Sequence, residues 1–201
     1  MSLAFLRGVA AAASLACCAV PLLALAEPAS GSMGRSMGLD DAVLDEINFA
    51  RTRPADYARD LERGMGYGEN AADVEEAIDF LQRQRPLPPL EADQRIAAAA
   101  QAHASAQGRR GDVGHGPAGS LGQRLRQNGV WASLSAENIS YGYDDPRDIV
   151  RQLIVDSGVP GRGHRKNIFT GAYRSAGVAC GPHRSYGAMC VIDFAGAIVQ
   201  R

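Results

Sequence analysis

The chain has 201 residues, 46% of them apolar and 21% charged, with a formal net charge of −1. That length bounds the answer at one domain, two at most, and the composition supports a packed core and excludes wholesale disorder. The charge balance lacks the basic excess of a nucleic-acid binder, and an aromatic content of 6% argues against a stacking platform for single strands.

Arg7 is followed by an uncharged stretch, Gly8 to Ala26, that closes on Ala24-Leu25-Ala26 before Glu27. This is the layout of a secretory signal peptide over residues 1–26, cleaved to leave a mature chain starting at Glu27. The competing readings are an uncleaved membrane anchor and lipid attachment at Cys17 or Cys18. Residues 27–38 are rich in Gly, Ser and Met without periodicity and read as a flexible linker. A domain is expected over 39–201.

Asp40 is placed to N-cap a helix whose apolar positions Val43, Leu44, Ile47 and Ala50 recur at helical spacing. Pro54 opens a second short helix to about Arg63. The glycine-rich run 64–68 has no preceding strand and the wrong spacing for a phosphate-binding loop. Residues 71–84 carry Val74, Ile78 and Leu81 on one helical face, and Pro86, Pro88 and Pro89 end that helix in an extended segment. A long alanine-rich helix follows over about 92–108, stopped by Gly108, with His103 on its apolar side as a hydrogen-bonded core residue. Residues 111–119 form a glycine-rich loop, and 120–128 a short helix ended by Gly129. Ser135, Glu137, Ile139 and Tyr141 alternate with Ala136, Asn138 and Ser140, which is the period of a strand. Asp145-Pro146 starts a helix with Asp148 placed to complete its cap. A short helical piece ends at Phe169, and strands over about 175–181 and 187–195 close the chain. Helices early and strands late point to an α+β fold.

Export would leave Cys180 and Cys190 as the mature cysteines. In an oxidising compartment this spacing points to a disulfide, worth roughly 2.5–3 kcal/mol by loop entropy; a nucleophilic cysteine is the rival reading.

Of the four histidines, His115 and His164 sit in glycine-rich loops, where a scaffold can present them for chemistry. Glu137 lies on an otherwise apolar or small-residue strand, so its carboxylate must be hydrogen-bonded or line a cavity. Asp156 ends a helix, a poor place for an anion unless a cation holds it. Two histidines and two acids could ligate zinc or work as base and acid. The spacing itself is no metal signature, since neither H-E-x-x-H nor C-x-x-C occurs. Arg165 reads as a solvated arginine rather than a carboxylate partner.

The words "LDEINFARTRP" (44–54), "HGPAG" (115–119), "AENISYG" (136–142), "GHRKNIF" (163–169) and "GVAC…MCVIDFAG" (177–196) occur in this order. As an ordered set they resemble the bacterial branch of the cysteine-rich secretory, antigen-five and pathogenesis-related (CAP, or SCP-like) superfamily, over about residues 40–198. The resemblance implies a three-layer α-β-α sandwich with a central, mainly antiparallel sheet and a large cleft. It also implies a cleft tetrad of His115, Glu137, Asp156 and His164, although Ala136 stands where the family word has glycine, and many members carry glutamate at the place of Asp156. His103 and His183 match no tetrad position, and the fit is loosest over 55–90.

The family implies no single reaction. The leading expectation is a secreted module, periplasmic or extracellular and monomeric. His115 and His164 would bind zinc or another divalent metal, and the cleft would take a small hydrophobic molecule, an envelope fragment or a protein segment. The alternatives are a metal- or Glu137-assisted hydrolase of peptide or ester bonds and a metal-free module in which the same residues only hold the fold.

Overall fold

The computed structural model describes residues 38–64, 66, 68–117 and 120–199. The expected signal peptide and nearly all of the expected linker therefore lie outside the described residues. The elements in chain order are α1 (Leu39–Thr52), α2 (Pro54–Leu61), α3 (Ala71–Arg83), β1 (Glu91–Ala92), α4 (Gln94–Arg110), α5 (Ser120–Gln127), β2 (Ser135–Tyr141), α6 (Pro146–Val155), α7 (Gly163–Ile168), β3 (Ser175–His183) and β4 (Gly187–Ala195).

The strands form one sheet in the order β1-β3-β4-β2. β1 runs parallel to β3, and the other two pairings are antiparallel. β4 is the inner strand between β3 and β2, and its residues alternate between two cores. Cys190, Ile192 and Phe194 pack with Ala176 and Val178 against α1, α2, α3 and α6. Met189 and Val191 face the other way with Ala179, onto Ala100 and Ala104 of α4. Ala195 extends that second side with Ile96, Ala99 and Leu125. Helices on both faces of a central sheet make the expected three-layer α+β sandwich.

α4 succeeds in this place because small residues, Ala99, Ala100, Ala104 and Gly108, make up much of its buried face. The short side chains bring its backbone down onto β3 at Gly177. A Cβ there would fall within 2.6 Å of Ala97 Cα and closer still to backbone atoms of Ile96 and Ala97. Cys180 and Cys190 are direct cross-strand partners of the β3–β4 hairpin and form the disulfide.

Local chemistry differs from the sequence reading at several helix ends. Gly38, not Asp40, is the N-cap of α1, and it makes no side-chain cap. Asp40 instead accepts the main-chain N–H of Cys180 at 2.8 Å, tying α1 to the sheet. α4 runs through Gly108 and stops at Gly111, which takes the left-handed conformation (φ 77°). Gly108 lies against the Pro182 carbonyl, so close packing explains that glycine. Asp145 alone caps α6, accepting from Arg147 and Asp148 N–H groups at 2.9 and 3.2 Å.

The proline segment after α3 is held by Arg51, which is fully buried. Its guanidinium donates to the carbonyls of Pro88, Ile168 and Thr170. Burial without a carboxylate lowers its pKa to about 10. Arg165 is also buried, against the expectation of a solvated side chain: it pairs with Glu76 and lies over the Phe80 ring at 5.0 Å.

A Gly177→Ala variant should lose about 1–3 kcal/mol or more of stability, because backbone rather than a flexible side chain must move. The urea midpoint of unfolding measures it.

A candidate histidine–carboxylate cleft

β2 is the edge of the sheet, and a cavity of about 560 Å³ runs along it. Ile139 and Tyr141 of β2 line it, with His115 and Gly114 from the loop after α4, and Gln152, Asp156 and His164 from α6 to α7. Three of the four expected residues thus line one cavity, and the fourth, Glu137, stands behind His115.

His115 is presented by a loop that turns through Gly114 (φ 91°) and Gly116 (φ 75°). Three side chains pin the turn. Gln107 and His103 donate to the Gly114 carbonyl at 2.6 and 3.1 Å. Tyr141 Oη accepts the Gly114 N–H at 2.9 Å and donates to Gln107 at 2.5 Å. His103, expected as a core residue, therefore serves the cleft indirectly.

His115 Nδ1 donates to Glu137 Oε1 at 2.9 Å. The other Glu137 oxygen accepts from Arg124 of α5. Burial alone would raise the Glu137 pKa, but the His115 hydrogen bond and the Arg124 charge outweigh it and hold the carboxyl below its usual range. The same hydrogen bond raises the His115 pKa above 6.5, against partial burial. His103 is pushed down by burial, and the Glu137 charge at 4.0 Å only partly offsets that.

Asp193 of β4 is the cross-strand partner of Glu137 and is fully buried. No N–H or O–H donor among the described residues satisfies either of its oxygens. Burial and then the Glu137 charge push its pKa well up. Its environment favours the protonated acid, with Glu137 as the acceptor for its proton. Sequence reasoning missed Asp193, although a carboxylate inside the apolar run "MCVIDFAG" carries the same signal that singled out Glu137.

The second pair is built at a helix end. Asp156 is the C-cap of α6 in the left-handed region (φ 55°). One oxygen accepts the His164 main-chain N–H at 2.9 Å, and the other accepts Nδ1–H of the same residue at 2.6 Å. Two donors from one histidine explain how an anion is tolerated at a helix C-terminus, and the short aspartate side chain reaches both. Arg162 donates to the Asp156 carbonyl at 2.7 Å.

Arg151 and Glu69 also line the cavity, as a pair that sequence reasoning missed. The guanidinium is bidentate on the carboxylate, 2.7 Å at each oxygen, and also donates to the Gly64 carbonyl. It connects α6 to the 64–70 loop, which had no assigned role. The signal was an arginine among the apolar positions of α6.

Each histidine has Nδ1 on a carboxylate, and among the described residues neither Nε2 has a protein partner. An imidazole oriented this way is a neutral-nitrogen donor suited to a metal or a ligand acceptor. Among the described residues no group of three or more His, Cys, Asp or Glu stands close enough to hold a metal ion. The metal expectation rests on His115 and His164 alone.

The fold and the cleft define a class: a three-layer sandwich whose sheet edge runs between two histidine–carboxylate pairs. The family model for the cysteine-rich secretory protein family (CAP) matches residues 44–194, and the chain belongs to that family. Among curated proteins none matches this chain. Solved structures similar to it include an extracellular protein containing an SCP domain from Bacillus anthracis, at 24% identity and a TM-score of 0.47, covering 63% of this chain and 41% of that one. An outer surface protein of Borrelia burgdorferi is 14% identical with a TM-score of 0.47, covering 76% and 92%. A cysteine-rich secretory protein of Staphylococcus aureus is 15% identical with a TM-score of 0.44, covering 66% and 40%. The chain thus spans about two fifths of the length of the first and third.

Two outcomes follow from the proton positions. His115 should titrate above the ordinary imidazole value by NMR, and Glu137→Gln should bring it back down. This interaction is fully present below about pH 6.5 and fades as pH rises through the folded-state value. Asp193 acts in the same pH direction, through burial of its acid form rather than through an ion pair. Above about pH 3.8 the unfolded chain releases a proton that the fold retains, so stability falls as pH rises. Asp193→Asn should match the parent in urea unfolding below about pH 4 and exceed it increasingly toward pH 8.

Proposed function

We propose that the protein is an extracellular binding module whose cleft takes a ligand between His115 and His164, the two residues that would hold a divalent metal, zinc by preference. The observation that carries this reading is the matched pair of Nδ1–carboxylate hydrogen bonds on histidines lining one cavity. Such bonds set the tautomer and raise the basicity of the opposite nitrogen. A metal held there would act as a Lewis acid toward a ligand oxygen.

Binding is favoured over hydrolysis by how the candidate groups are occupied. Both Glu137 oxygens are engaged, by His115 and Arg124. The Ser157 hydroxyl on the cavity wall donates to Asp73 at 2.9 Å. Neither is poised to activate water or attack a carbonyl.

Extracellular residence is supported by the Cys180–Cys190 disulfide, a bond that persists in oxidising compartments. The signal-peptide pattern in residues 1–26 points the same way. Among the described residues no helix is long and apolar enough to cross a membrane.

Calorimetric titration with zinc tests the reading. Stoichiometric binding is expected for the parent, and loss of it for His115→Ala/His164→Ala with an unchanged circular dichroism spectrum. Uptake that survives in a folded double variant would remove both residues from the site.

A further inference from the structure

We propose that the cleft takes an extended peptide, added as a strand to the free edge of β2, with a basic group of that peptide against Asp148. This rests on the cleft-binding reading above and names the class of ligand.

Gly142 N–H donates to Ala188 O at 2.9 Å, and Gly196 N–H donates to Leu134 O at 2.8 Å. Between these two points, β2 and β4 are paired residue for residue. Antiparallel strands alternate hydrogen-bonded and non-hydrogen-bonded pairs. The even-numbered residues of β2 therefore spend their main-chain groups on β4. Glu137, Ile139 and Tyr141 turn theirs outward, away from the sheet.

Ile139 and Tyr141, two residues of that outward edge, line the cavity. Among the described residues nothing hydrogen-bonds to the main-chain N–H or C=O of either one. Ile139 is also only 6% exposed. Main-chain groups so sheltered are nearly always paired in folded proteins. Two donors and two acceptors at residues i and i+2 match one edge of an incoming strand. A protein backbone is the ligand chemistry that presents the complementary spacing. The walls on either side, the His115 loop and the α6–α7 segment, bound a space of about 560 Å³.

Charge chooses among peptides. The ionisable groups lining the cavity fall into pairs: Glu69 with Arg151, Asp156 with His164, and His115 with Glu137 behind it. Asp148 is exposed, lines the same cavity and makes no ion pair among the described residues. The charge left over in the cleft is negative, and it calls for a lysine, an arginine or an amino terminus. Side chains of an added strand alternate in direction. One set would face the His115 loop and the other α6 and α7.

The test is selection of a displayed random octapeptide library on the folded, disulfide-intact protein, with zinc titration of the same sample. Enriched peptides should carry Lys or Arg at one position. Synthesised, they should lose about tenfold in affinity on N-methylation of alternate residues, the equivalent of one strand hydrogen bond. Asp148→Asn should cost a similar factor, and the Ile139 and Tyr141 amide resonances should move on binding. Binders indifferent to N-methylation at every position would overturn the added strand while leaving a binding cleft. The absence of any cleft binder, with zinc still held by His115 and His164, would overturn the peptide proposal alone. Loss of both would sink the cleft reading as well. A concentration-dependent dimer that shifts the same two amides would make the occupant a second copy and overturn the proposal.

Discussion

The pairing of β2 with β4 is the constraint from which the site follows. One edge of β2 is consumed by β4, which fixes its register and turns Glu137, Ile139 and Tyr141 onto the α4 side. The opposite edge is left to form the wall of a cleft. A slip of one residue would send Glu137 to the other face and leave His115 without its carboxylate. The buried alternation of β4 opposes such a slip, since Cys190, Ile192 and Phe194 belong to one core and Met189 and Val191 to the other.

That register also places two acids opposite each other, Glu137 and Asp193. Two buried carboxylates side by side disfavour ionisation of both. Arg124 and His115 settle which one ionises, because both approach Glu137. The fold therefore favours the proton on Asp193 and the charge on Glu137, which orients a histidine in the cleft. The second histidine is oriented by a different device, an aspartate in a left-handed helix cap that accepts both the main-chain and ring donors of His164. Two pairs built from different layers face one cavity.

Most elements were legible from local signals. Proline at Pro54 and Pro146, the Asp145 cap and period-two alternation over 135–141 mark their elements directly. Gly108 was misread as a helix stop because a glycine required for close packing and one required by a left-handed cap look alike in sequence. Asp40 was misread as a cap because its partner, Cys180, is 140 residues away. The four residues of the His–carboxylate pairs were each marked by local pattern, and the ordered motif words grouped them into one site. Asp193 and Arg151 left only the local signal of a charged residue in an apolar pattern, and their partners, like that of Arg124, lie on other elements where no local pattern names them.

The sequence by itself determined the element types, the α+β class, the cysteine pair and which histidines stand in loops. Periodicity, caps and turn residues act over a few positions and are written in local order. Only the tertiary structure decided that β2 is an edge strand, that α4 lies directly on Gly177, and which nitrogen of each histidine is engaged. It also decided that Asp193 faces Glu137 and that Arg165 is buried. Those facts depend on contacts between residues far apart in the chain, where burial and geometry, not local pattern, set the charge state of each group.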